Sequence, residues 1–231
     1  RVGTFQFFAA RNDDASLRRL ADYAIARHDP ALALAPDRYL KLLEAVVLRQ
    51  ARLIARWMGV GFIHGVMNTD NMTIWGETGG YGPCAFMEHY DTAAVFSSID
   101  HHGRYAYGQQ PAIAQWNLAR LAEALLPLID TDRDAAVERA VAVVSAFSGQ
   151  FESAWRAQLQ AKLGLEGAAA GDEPALGMDF LALLQANRID FTLAFRRLAD
   201  AAAGDDAPLQ GLFGEAGDGL ASWLKRWRAQ A

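Results

Sequence analysis

Cysteine is almost absent: Cys84 stands alone in 231 residues. A single thiol excludes an internal disulfide framework and any multi-thiolate metal cage. Lysine is scarce too, since only Lys41, Lys162 and Lys225 among the 22 basic residues are lysines. Positive charge is in deficit against 27 acidic residues, giving a net charge of −5. That balance predicts no general attraction to nucleic acid or to an anionic membrane surface. No apolar run approaches the roughly 20 residues that a membrane-spanning helix needs. The chain opens Arg1-Val2-Gly3-Thr4-Phe5, without an initiator methionine or the three-part pattern of a signal peptide. A soluble protein of a reducing compartment is the expectation.

What is present is ordinary globular composition, 52% apolar and 21% charged, enough for one large domain or two small ones. Helical texture dominates. Asn12-Asp13-Asp14 offers N-caps before Leu17, Leu20, Ala21, Ala24 and Ile25, which recur at helical spacing. Pro36-Asp37 opens a further helix whose apolar face runs from Leu42 to Trp57 and stops at Gly59, with Arg49, Arg52 and Arg56 largely opposite. Pro111 suits a first helical turn, and Asp130-Thr131-Asp132 precedes a long helix to about Leu163. Residues 164–177 read as an alanine-, glycine- and acid-rich surface loop. Gly204-Asp205-Asp206 forms another connection, before a last helix with Leu220, Trp223, Leu224 and Trp227.

Residues 60–104 interrupt that texture with glycines, aromatics and isolated polar side chains. Met72-Thr73-Ile74-Trp75 reads as a short strand and residues 76–83 as a glycine-rich turn. Chemistry usually sits on such loops, held by a rigid scaffold. The informative run is His64-Gly65-Val66-Met67-Asn68-Thr69-Asp70-Asn71. His64 and Asn71 have the spacing of the phosphotransfer loop H-x-D-x-x-x-x-N, but Val66 stands where that loop carries its aspartate. The one carboxylate is Asp70, beside Asn71. Such a sparse oxygen set suits magnesium, which takes one or two carboxylates and completes its shell with substrate phosphates. On spacing alone a second reading stays open: Asp70 and Asn71 merely cap a turn.

The octapeptide, followed by Tyr81-Gly82-Pro83, resembles the selenoprotein O (SelO) family. Further matches follow in the family's order: Arg1-Val2-Gly3-Thr4-Phe5, Asp100-His101-His102-Gly103-Arg104-Tyr105, Gln110-Pro111 with Trp116-Asn117-Leu118, Lys162-Leu163-Gly164-Leu165, and Asp190-Phe191-Thr192 with Phe195-Arg196. The resemblance implies a mainly α chain with a protein-kinase-like C-lobe, residues 1–231 forming one domain. It implies transfer of AMP from ATP to hydroxyl side chains of proteins, with magnesium, or manganese in its place, as cofactor. Carried over by motif, Asp70 is the base, Asn71 a metal ligand, and Arg1 a contact to ATP phosphates. Arg1 reads equally well as a surface charge. Location would be cytoplasmic in a bacterium and mitochondrial in a eukaryote.

Two departures qualify this. The family carries a metal-binding aspartate before Tyr81-Gly82-Pro83, whereas this chain has Gly80, which offers no side-chain oxygen. Either the site is impaired, leaving a catalytically degenerate nucleotide-binding or protein-interaction module, or it is rebuilt, with Glu77 the nearest upstream acid. A kinase-like enzyme also needs an upper β lobe with a phosphate-pairing lysine. No such stretch is present, so the 231 residues are expected to be a middle and lower-lobe portion with little activity alone. Elsewhere the plain readings are preferred: His89, His101 and His102 as structural or solvent-facing, Cys84 as a small buried residue, and Trp116, Trp155, Trp223 and Trp227 as core.

Overall fold

A computed structural model describes residues 1–165, 173–214 and 217–230. The chain begins with helices α1 (Val2–Ala9), α2 (Asp14–His28) and α3 (Arg38–Gly59). Strands β1 (Phe62–Ile63) and β2 (Ala85–Phe86) follow, pairing antiparallel with Phe62 opposite Phe86. Then come α4 (Gln110–Ile129), α5 (Arg133–Leu163), α6 (Glu173–Ala186), α7 (Phe191–Ala202), α8 (Ala207–Phe213) and α9 (Gly217–Arg228). The fold is mainly α. Among the described residues no helix is long and apolar enough to cross a membrane.

Local chemistry sets the helix ends. The Asp13 carboxylate accepts from the Ser16 N–H at 3.0 Å, and the Asp132 carboxylate from the Asp134 N–H at 2.9 Å. Gly164 closes α5 in the left-handed region at φ 68°. Helix α3 is the centre of the bundle and packs on both α4 and α5. Its stripe of Leu43, Val46, Val47 and Ile54 is fully buried, while Arg52 and Arg56 face solvent. Helix α1 lies on α4, and α9 closes on α6. The indoles of Trp223 and Trp227 donate to Leu176 O and Leu163 O, each at 2.9 Å, tying α9 to the ends of α5 and α6.

The structure differs from the sequence reading in four places. Residues 72–75 form no strand: Met72 O accepts from the Val2 N–H at 3.0 Å and Thr73 O from Gln50 Nε2 at 2.6 Å. Their carbonyls are thus bonded to a helix end and a side chain, not to a neighbouring strand. The reading of 164–177 as one loop is too long, because α6 begins at Glu173 and Leu176 is fully buried; residues 166–172 lie outside the described residues. Trp116 is 43% exposed, its ring flanked by the guanidinium groups of Arg104 and Arg120 at 5.0 and 5.1 Å. Cys84 is half-buried.

Four buried polar side chains connect this bundle to the irregular segment. Gln110, fully buried, accepts from the His64 N–H through Oε1 and donates through Nε2 to Phe62 O, both at 3.0 Å. Asn117 Nδ2 donates to Met67 O at 2.9 Å, the Tyr107 hydroxyl to Met58 O at 2.7 Å, and Gln50 to Thr73 O. A buried main-chain group left without a partner costs about 1–3 kcal/mol. Gln110→Ala strands two of them and is expected to lower stability by about 2–4 kcal/mol. Urea unfolding measures it, and a loss below about 0.5 kcal/mol would show that the clamp is dispensable.

Candidate active site

The loop of residues 64–71 is built by its own polar side chains. Asn68 Oδ1 accepts from the main-chain N–H groups of both Asp70 and Asn71, each at 3.1 Å. Asn68 therefore makes the turn that sequence alone could have assigned to Asp70 and Asn71. The Asp70 side chain is left exposed, with no hydrogen bond or ion pair among the described residues. Asn71 is held differently. Its Nδ2 donates to Val66 O at 3.0 Å, which fixes the amide and turns Oδ1 toward Gly80.

His64 anchors the start of the loop from inside the core, at 1% exposure. Its Nδ1 lies 3.4 Å from the Val66 N–H and its Nε2 lies 2.9 Å from Gly79 O. An amide can only donate and a carbonyl only accept, so the ring is neutral with its proton on Nε2. Burial pushes its pKa below the ordinary 6.5, against the opposing effect of the two backbone bonds. The folded-state pKa is depressed, so stability is full above 6.5. It is lost as the unfolded chain takes up a proton that the folded chain refuses, down through the depressed value. Thermal midpoints should therefore fall as pH drops below about 6.5, and His64→Gln should flatten that dependence. An equal slope in both proteins would remove His64 as its source.

The glycine-rich turn is held in place at several points. Trp57 Nε1 donates to Thr78 Oγ1 at 2.8 Å, and the Thr73 hydroxyl to Glu77 O at 2.6 Å. The exposed Glu77 carboxylate accepts from Trp75 Nε1 at 3.2 Å, and Glu77 and Asn71 line one small cavity. Gly80 takes φ 64°, and a Cβ built there would overlap Asn71 Oδ1 and lie 2.7 Å from its Cγ. The space beside Gly80 is thus filled by the Asn71 amide.

Arg1 arrives from the other end of the sequence. The first turn of α1 lies on the loop, with the Val2 N–H on Met72 O at 3.0 Å and the Gly3 N–H on Thr69 O at 2.9 Å. The exposed Arg1 side chain makes no capping bond. Gly3, two residues from Arg1, thus lies against Asp70, and Gly80 lies against Asn71.

For a magnesium ion the donor set is hard but short: the Asp70 carboxylate and Asn71 Oδ1, with nothing from Gly80. Among the described residues no group of three His, Cys, Asp or Glu side chains is placed to hold a metal. That excludes a dedicated protein cage there but fits an ion that arrives with, and is largely coordinated by, substrate phosphates. His89 instead bridges to Asp190 through its backbone. The residues that sequence reading did not single out are Asn68, Gln50 and Gly3. Gln50 carried a signal, being an amide on the apolar stripe of α3; Asn68 and Gly3 stood only within the stretches that carry the family resemblance.

Known proteins match the sequence over nearly its whole length. A family model described as "Protein adenylyltransferase SelO" matches residues 1–228. "Protein nucleotidyltransferase YdiU" of Cereibacter sphaeroides is 60% identical over 228 residues, covering 99% of this chain and 47% of the relative. The protein of that name from Rhizobium etli is 59% identical over 233 residues, covering 100% and 46%. The one from Methylorubrum extorquens is 61% identical over 206 residues, covering 89% and 41%. The chain thus spans about half the length of these curated relatives. With a match over nearly its whole length, the chain belongs to the SelO family.

Proposed function

We propose that the protein containing this chain transfers AMP from ATP to hydroxyl side chains of proteins, within a kinase-like lobe. The observation that carries the reading is the Asp70 carboxylate, unpartnered among the described residues, beside an Asn71 whose oxygen is fixed next to Gly80, in a chain of this family. Asp70 would take the proton of the acceptor hydroxyl. The acceptor's hydroxyl oxygen would then bond to the α-phosphorus, the bond from that phosphorus to the bridging oxygen would break, and pyrophosphate would leave. Asn71 Oδ1 is the group that would hold magnesium, or manganese; the ion would supply neutralisation of charge on the phosphates. Arg1, at the N-terminus of α1, would add positive charge to the same face. Positioning and charge neutralisation supply most of the rate in chemistry of this kind.

The test uses the full-length protein and ATP labelled at either end. Label should pass to protein from the α-phosphorus. Transfer from the γ-phosphorus would show ordinary kinase chemistry and sink the reading. A second reading, a catalytically silent interaction module, is favoured by one observation: Gly80 brings no oxygen and Asn71 fills the space beside it. It predicts transfer from neither position.

A further inference from the structure

We propose that Gly3 is a positioning residue for the Asp70 base, an inference that rests on the adenylyl-transfer reading above. Two main-chain bonds, Val2 N–H to Met72 O and Gly3 N–H to Thr69 O, fix the first turn of α1 against residues 69–72. Asp70 lies inside that frame. A Cβ built on Gly3 would overlap Asp70 Oδ1, stand 3.0 Å from its Cγ and 3.4 Å from its main-chain nitrogen. All three of the nearest atoms belong to Asp70.

The backbone does not demand glycine at this position. Gly3 sits within α1 and is not among the glycines with positive φ. A glycine inside a helix is less stabilising than alanine, because its backbone loses more freedom on folding. What the missing side chain provides is room, and the room is occupied by one carboxylate. The overlapping atom is the far end of an exposed, rotatable side chain, so a methyl group would be accommodated by swinging the carboxylate aside. Folding would lose little by that, and the helix would gain. Catalysis would lose alignment, where a displacement of about 1 Å can cost 10²-fold. A purely structural glycine predicts the reverse: damage to folding first, with activity following.

The experiment compares Gly3→Ala, Asp70→Asn and the double variant in the full-length protein. Gly3→Ala should lower kcat for AMP transfer by about 10- to 100-fold, with KM for ATP within about twofold and the urea midpoint unchanged or raised. The double variant should be no slower than Asp70→Asn alone, because both changes act through one group. Undiminished kcat in Gly3→Ala overturns the proposal. So does a loss that tracks a lowered urea midpoint, or a loss that multiplies with that of Asp70→Asn. Full activity of Asp70→Asn overturns the base assignment and the proposal with it. An inactive Asp70→Asn beside a fully active Gly3→Ala overturns the proposal alone.

Discussion

Asp70→Asn in the full-length protein is expected to slow AMP transfer by about 10²–10⁴-fold, the range that a positioned general base contributes. The fold should not change. The turn at residues 68–71 is made by Asn68, whose Oδ1 takes the main-chain N–H groups of Asp70 and Asn71. The Asp70 side chain adds no hydrogen bond of its own to that turn. Asparagine keeps the size of aspartate and removes its charge and basicity, so the urea midpoint should stay within about 0.5 kcal/mol of the parent. Binding of ATP should weaken less than turnover, because the proton is taken from the acceptor, not from the nucleotide. The contrasting variant is Asn68→Ala. It deletes both turn bonds, so it should cost about 1 kcal/mol of stability and lower activity through the displaced loop. If Asp70→Asn retained full activity, Asp70 would be a loop residue only and the hydroxyl would need another acceptor for its proton.

The helical scaffold was legible because its signals are local. Asp13 and Asp132 are N-caps at the positions their spacing suggested, Pro111 is in the first turn of α4, and Gly164 ends α5 with the φ that favours glycine. Helix α1 was not read, since its eight residues are mostly apolar all round and Arg1 supplies no capping side chain. The supposed strand at 72–75 failed for the opposite reason. Its pattern of Met72, Thr73 and Ile74 reports burial correctly, but its hydrogen bonds go to Val2 and Gln50. No local pattern can reveal partners so distant. The same holds for the site. Asp70 and Asn71 are neighbours in sequence and could be found there. Gly3 and Gly80 matter through what their absent side chains leave open, and Arg1 through a helix docked 70 residues away in the chain. Gln110 and Asn117 clamp carbonyls 48 and 50 residues upstream, so they appeared in the sequence only as fragments of a family resemblance.

Gly80→Asp is expected to raise magnesium-dependent transfer by roughly tenfold or more, the effect of about 1.4 kcal/mol of added transition-state stabilisation. The present metal ligand from this chain is one amide oxygen, that of Asn71. A carboxylate at position 80 would bring it to the complement magnesium commonly takes from protein, with phosphates and water completing the shell. The gain has a structural cost. Gly80 is at φ 64°, a conformation that aspartate tolerates better than most residues but not freely. A Cβ there overlaps Asn71 Oδ1 and comes within 2.7 Å of Cγ, so the amide must turn and give up its 3.0 Å bond to Val66 O. A loss of about 1–2 kcal/mol of stability follows from those two changes. Lower stability with higher turnover, and a smaller magnesium concentration for half-maximal rate, would identify the native site as an impaired version of a stronger one. A fall in turnover would instead mean that the wild-type site works with the Asn71 amide where it now lies, because only then does displacing that oxygen remove something catalysis uses. No transfer by either protein, with both folded, would leave the interaction module as the reading of this chain, since the turn would then hold Asn71 for no chemical purpose.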